Sequence, residues 1–322
     1  MSDSLKKRKI LLDCDPGHDD AVAIMLAAGA PQLELVGIST VAGNQTLEKT
    51  TSNALHVLQH LNLHYPVYAG CSRPLVRERA IIAADIHGKS GLDGPHFEKL
   101  NLQKENRHAV LWIIDTLMNA PEPMTVVTCG PMTNLALAMR LEPRIVEKIE
   151  TYVFMGGSYQ LGNVTPAAEF NILADPEAAH IIFTSGIREL VMVGLDVTRQ
   201  CLCLPEVVER MAKIPNKAAR LFADMMRFFN ATQKATFGWP GGPLHDPLTV
   251  AWLIRPELLT LRHVHGEVDI SHGPSYGRTN CDYLNYQKKE PNLYLATEVD
   301  VHAYWDLLEE ILCRYSGEEV LK

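Results

Sequence analysis

The chain has 322 residues, 47% of them hydrophobic, enough to bury one large core. Its formal charge of -8 and pI near 5.9 argue against a surface that neutralises nucleic-acid phosphates or binds anionic lipid, and favour a small, uncharged ligand. No window approaches the roughly 18 to 20 apolar residues of a membrane helix, and the polar start Met1 to Lys9 is not a signal peptide, so a cytoplasmic setting is expected.

In chain order, short apolar runs alternate with amphipathic stretches. Ile10 to Cys14 reads as a buried strand, followed by an acidic turn and the helix-like run Ala21 to Ala28. Leu35 to Val41 is a second strand and Leu47 to Leu61 a helix, and His87 to Pro95 forms a Gly-rich loop. The helix His108 to Ala120 precedes two strands, Met124 to Thr128 and Tyr152 to Met155. Beyond them come the helix Pro176 to Thr184, the strand Glu189 to Leu195 and two helices, Pro205 to Ala212 and Ala218 to Thr232. A second loop, Phe237 to Pro243, leads toward the last strand and helix, Leu293 to Val299 and Val301 to Tyr315. This alternation predicts an α/β fold with a mostly parallel central sheet and helices on both faces. With no repeat or shift of composition to mark a linker, residues 1–322 are expected to form a single domain.

Seven cysteines, an odd number without C-x-x-C spacing, read as free thiols. Cys201 and Cys203 share one face of an extended segment, for which ordinary burial is the simpler reading than a soft-metal site.

Asp13, Asp15, Asp19 and Asp20 fall within eight residues, directly after the first strand. Converging carboxylates raise one another's cost of ionisation, and a divalent cation with oxygen ligands offsets that charge. Pro16-Gly17 supplies the tight turn. Asp19 and Asp20 would also serve as ordinary helix N-terminal charges, but four acids around one turn favour a cation. The cluster alone does not choose a reaction, since acids after a first strand also serve phosphoryl transfer. A divalent-metal phosphohydrolase with Asp13 or Asp15 as nucleophile is the rival enzyme, yet no P-loop lysine motif is present. A sugar or nucleoside binding protein, with Ca2+ serving only as an anchor, is the non-enzymatic rival.

Two further constellations narrow the choice. Ala168-Glu169-Phe170-Asn171, after Met155-Gly156-Gly157-Ser158 and Gly162-Asn163-Val164-Thr165-Pro166, offers acceptors and amide donors suited to sugar hydroxyls. Leu244-His245-Asp246-Pro247 joins a titratable histidine to another carboxylate.

Together with Val41-Ala42-Gly43-Asn44-Gln45-Thr46, these segments resemble the inosine-uridine-preferring nucleoside hydrolase family over nearly the whole chain. Asp85-Ile86-His87-Gly88 and Gly241-Gly242-Pro243-Leu244-His245-Asp246 look most like the bacterial pyrimidine-specific ribonucleoside hydrolases. The resemblance implies a Rossmann-like nucleoside hydrolase fold and hydrolysis of ribonucleosides, such as uridine and cytidine, to free base and ribose. It implies one Ca2+ per subunit, held by Asp15, Asp20, Asp246 and the main-chain carbonyl of Cys129, with Asp13 in a supporting place. Asp15 would be the general base. Ribose contacts map to Asp19, Asn44, Asp246, Asn163, Glu169 and Asn171, with Met155 also among the binding residues. His245 and His87 are the candidates for activating the leaving base, and Gln233 would add polarity. Phe237 stands where many pyrimidine-preferring relatives carry tyrosine. His18 either lines the site or packs. A homodimer or homotetramer is implied in the same way, with no nucleic-acid or membrane partner.

Overall fold

The computed structural model describes residues 7–315. Residues 1–6, with most of the polar start, and residues 316–322, the far end of the expected domain, lie outside the described residues. Twelve strands are present among the described residues. They are β1 (Arg8–Cys14), β2 (Leu33–Thr40), β3 (Val67–Ala69), β4 (Met124–Thr128), β5 (Ile149–Met155), β6 (Leu190–Val193), β7 (Leu202–Cys203), β8 (Gly242–Pro243), β9 (Leu259–Val264), β10 (Gly266–Val268), β11 (Thr279–Cys281) and β12 (Leu293–Val299). The helices begin with α1 (His18–Gly29), α2 (Leu47–Leu61), α3 (Ala84–His87), α4 (Ala109–Asn119), α5 (Thr133–Leu141) and α6 (Phe170–Ala174). They continue with α7 (Pro176–Phe183), α8 (Leu195–Thr198), α9 (Pro205–Ala212), α10 (Lys217–Phe237), α11 (Pro247–Ile254) and α12 (Val301–Arg314).

Eight strands form one sheet in the order β3-β2-β1-β4-β5-β6-β12-β9. All neighbours are parallel except β12 and β9, so the mostly parallel expectation holds, with one antiparallel edge. Two separate apolar clusters pack against the sheet. One gathers α1, α2, α10, α11 and α12 around Ile10, Leu12 and Val127, and the other gathers α4, α5 and α7 around Leu11, Val126 and Phe154. Alternate residues of β1 thus face opposite layers, as the period of two requires. No helix among the described residues is long and apolar enough to cross a membrane.

The strand order reverses between β1 and β4. Ligands of open α/β sheets sit outside the carboxyl ends of strands at such a switch point, where diverging connections leave a crevice. Here the acidic turn leaves β1 and Cys129 follows β4, joined by the Cys129 amide donating to the Asp13 carbonyl at 2.8 Å.

Candidate active site

The acidic turn is compact because its amides face its own carboxylates. Helix α1 starts at His18, earlier than the apolar spacing predicts, since Asp20 caps it: Asp20 Oδ2 accepts from the Gly17 amide at 2.9 Å and Oδ1 from the Asp15 amide at 3.1 Å. Asn44 Nδ2 donates to the same Asp20 oxygen at 3.1 Å, and its backbone amide donates to Asp15 Oδ2 at 2.6 Å. Asp13 turns aside. Its Oδ1 accepts from Ser39 Oγ at 2.5 Å and Asn134 Nδ2 at 2.8 Å, a supporting position under the turn.

Asp19, Asp20 and Asp246 are buried, and one oxygen from each lies within 4.8 Å of the others. Asp15 is fully buried beside them, and its Oδ1 and the Oδ1 of Asp19 have no hydrogen-bond partner. Burial, then the Asp20 charge, pushes the Asp15 carboxyl well above the usual range and that of Asp19 up to about 7. Asp246 is likewise raised well above it, by burial and then by Asp19 and Asp20. Buried, unpartnered carboxylate oxygens, with no lysine or arginine among the described residues to offset them, fit a hard divalent ion that takes oxygen ligands. The Cys129 carbonyl accepts from Asn171 Nδ2 at 2.8 Å, leaving one lone pair.

Asp19, Asp246 and Cys129 border a cavity of about 310 Å3. Asp19, Asn44, Cys129, Met155, Asn163, Glu169, Asn171, Gln233, His87, His245 and Asp246 all line it, so ten of the residues singled out as catalytic or substrate-binding meet there, together with two of the proposed metal ligands, Cys129 and, already among the ten, Asp246. Asp15 and Asp20 sit behind that lining. Glu169 caps α6, accepting from the Ile172 and Gly157 amides through Oε2 at 3.1 and 2.9 Å; burial raises its carboxyl to about 6. Asn163 is exposed at the rim, its Oδ1 accepting from the Phe170 amide at 2.9 Å.

The remaining wall is aromatic and apolar, built by Ala83, Ile86, Phe229, Phe237 and Trp239. Gln233 is buried on α10 with its Oε1 unpartnered. His245 Nδ1 lies 2.7 Å from Thr198 Oγ1, and burial, then Arg199, lowers its pKa to about 3. Burial, then His18 and His245, holds His87 well below its ordinary value. Both rings are neutral near pH 7. Sequence reasoning missed Arg199, which lines the cavity, donates to the Leu161 and Gly162 carbonyls at 3.0 and 2.8 Å, and lies over the Trp239 ring. Its only sequence signal is a place shortly after β6. Asn134 and Phe229 were missed because each looks like an ordinary helix residue.

A buried carboxylate floor at the switch point of a 3-2-1-4-5-6 sheet, below an aromatic wall, defines a metal-dependent type of site for a small ligand that is part polar and part flat. The chain belongs to the inosine-uridine preferring nucleoside hydrolase family, whose pattern matches residues 10–306. The pyrimidine-specific ribonucleoside hydrolase RihB of Escherichia coli O1:K1 / APEC is 50% identical over 311 residues, covering 97% of this chain and 99% of that protein. Among solved structures, the purine-preferring ribonucleoside hydrolase from Gardnerella vaginalis superposes with a TM-score of 0.90 at 33% identity, covering 96% of this chain and 99% of the other. The inosine-uridine preferring nucleoside hydrolase from Bacillus anthracis shares the fold, with a TM-score of 0.77 at 22% identity over 95% of this chain and 99% of the other.

Proposed function

We propose that this enzyme hydrolyses the N-glycosidic bond of ribonucleosides to free base and ribose, preferring pyrimidine ribonucleosides such as uridine and cytidine. The observation that carries the reading is the joining, in one cavity, of a buried carboxylate floor to an aromatic wall, and the identity to a pyrimidine-specific relative supports the base class. One Ca2+ per subunit would be held by Asp15, Asp20, Asp246 and the Cys129 carbonyl. When bound, the ion offsets the carboxylate charge and makes a water easier to deprotonate.

The residues divide the remaining work. Asp19, Asn44 and Asp246 take the 2'- and 3'-hydroxyls, while Asn163, Glu169 and Asn171 hold the 3' and 5' side of the sugar and Met155 packs beside it. Cleavage passes through an oxocarbenium-like state, which surrounding carboxylates favour electrostatically. Asp15, through its free oxygen, accepts the proton of the attacking water. On the far side, neutral His245 and His87 offer hydrogen bonds to the departing base, and Gln233 adds its unpartnered amide oxygen. Phe237 brings no phenol to this wall. It is 45% exposed and packs against Trp239, which leaves base activation to the histidines. The same reading takes residues 1–322 as one hydrolase domain acting in the cytoplasm as a homodimer or homotetramer.

Incubation of purified protein with uridine, assayed for reducing sugar with and without exhaustive chelation, tests the reading. Free ribose that depends on metal is the expected result. Ribose 1-phosphate formed only with added phosphate would make the enzyme a phosphorylase, and binding without turnover would overturn the hydrolase assignment.

A further inference from the structure

His18 belongs to the acidic turn yet does not line the cavity. It is fully buried, and its two ring nitrogens reach into a different segment. Nε2 lies 2.7 Å from the Asp93 carbonyl, an oxygen that can only accept, so this nitrogen carries a hydrogen. Nδ1 lies 3.1 Å from His87 Nδ1, and the His18 amide lies 3.3 Å from that same His87 nitrogen. The Asp93 carboxylate is occupied elsewhere, accepting from the Lys89 and Ser90 amides at 2.9 and 3.1 Å.

The rings are also stacked. His18 lies 5.4 Å, centroid to centroid, from each of His87, Phe228 and Phe229, and His87 lies 5.7 Å from Phe229. Gly17 makes the approach possible, because a Cβ there would stand 2.6 Å from His87 Nδ1. With its hydrogen on Nε2, neutral His18 has only a lone pair at Nδ1, so His87 Nδ1 donates to it at 3.1 Å, and the His18 amide beside that nitrogen makes no second bond to it. The other nitrogen of His87, Nε2, is left for a ligand in the cavity that His87 lines.

We propose that His18 is a positioning residue: it locks the His87 ring so that Nε2 meets the base, and so keys the base-recognition loop to the turn that holds ribose and metal. This rests on the reading of His87 as a base contact. Residue 18 acts on the leaving base through His87 and has no direct part in the chemistry at ribose.

Leaving-group chemistry separates this role from simple support of the turn. p-Nitrophenyl β-D-ribofuranoside keeps the ribose but departs as a stabilised phenolate that needs little help. In the metal-loaded enzyme, His18→Phe keeps the stack and removes both nitrogens. It is expected to lower kcat/KM for uridine and cytidine roughly 10- to 100-fold while retaining most of the rate on the nitrophenyl riboside. His18→Asn, which restores a polar atom near the Nδ1 position, should recover part of the uridine loss. In a double-mutant cycle, His18→Phe should cost uridine little once His87→Ala is present. Equal losses on both substrates, or additive losses in the cycle, would overturn the proposal in favour of support of the turn. A wild-type enzyme that cleaves the nitrophenyl riboside but no nucleoside would instead overturn the functional reading, and the nitrogen shifts of His87 in labelled wild-type and His18→Phe proteins would still decide whether residue 18 holds that ring. Unchanged shifts would overturn it.

Discussion

Asp15 is gripped from outside and open from inside, and this asymmetry sets what its substitution does. Oδ2 is fixed by the Asn44 amide, while Oδ1 is buried without a partner. Asparagine can keep the first contact through its amide oxygen but cannot take a proton from water. Asp15→Asn should therefore fold and lose about two to four orders of magnitude in kcat for uridine, and near-wild-type turnover in a ribose-release assay would reject the general-base role. The sugar side behaves differently. Asp19 keeps an unpartnered buried oxygen that a 2'-hydroxyl can satisfy, and a deoxy sugar leaves it unpaired. Deoxyuridine should fall behind uridine in kcat/KM by roughly 10^2-fold or more, and comparable values would remove Asp19 as a ribose reader. Gly130 adds a steric check, because a Cβ there would stand 2.5 Å from Asp15 Oδ1. These acids were legible in the sequence because four carboxylates around one turn need a common explanation. Their division of labour was not, since the direction in which Asp13 turns depends on Ser39 and Asn134, distant in sequence.

At the scale of elements, legibility followed burial. Strand β4 and the Ile10 to Cys14 stretch of β1 are buried on both faces and read as continuous apolar runs, which is why they were found, whereas the exposed Arg8 and Lys9 that begin β1 were not. Three-residue β3 is too short to carry a pattern, and β9, an edge strand exposed at three of six positions, breaks it. Helix α11 is buried at all eight positions and so has no polar face to reveal a helical period. The aromatic wall was hidden for a related reason: Phe229 sits among the core residues of α10 and cannot be told from them by spacing. That wall depends on contacts between elements. Thr232 Oγ1 of α10 donates to the Ile86 carbonyl of α3 at 2.9 Å, on the residue next to His87. Thr232→Val keeps the shape and removes the donor. It should raise KM for uridine several-fold and lower Tm by a few degrees, consistent with about 1 to 2 kcal/mol for a partly buried carbonyl left unpaired. Unchanged KM in steady-state kinetics would separate this contact from base binding.

For the whole molecule, the floor of the site is a place where stability, pH and metal are linked. Burial raises the carboxyl groups of Asp13 and Asp19 to about 7 in the metal-free protein, against about 4 for an unfolded chain, and raises Asp15, Asp20 and Asp246 as well. An acid whose folded pKa is raised binds its proton more tightly when folded. Its contribution to stability is full below about pH 4 and is lost as pH rises through about 7, at up to about 1.4 kcal/mol per pH unit for each group. The buried histidines act with the opposite sign: His18, lowered to about 4, and His245, to about 3, stabilise above pH 6.5 and cease to as pH falls. Being present with and without metal, they largely drop out of a comparison between the loaded and chelated protein. What remains is the carboxylate floor, which binds a cation only when ionised and repels itself only when ionised and empty. Scanning calorimetry should therefore find the Tm difference between Ca2+-loaded and chelated protein small at pH 5 and widening steadily to pH 8. A difference independent of pH would mean that these aspartates do not hold the ion.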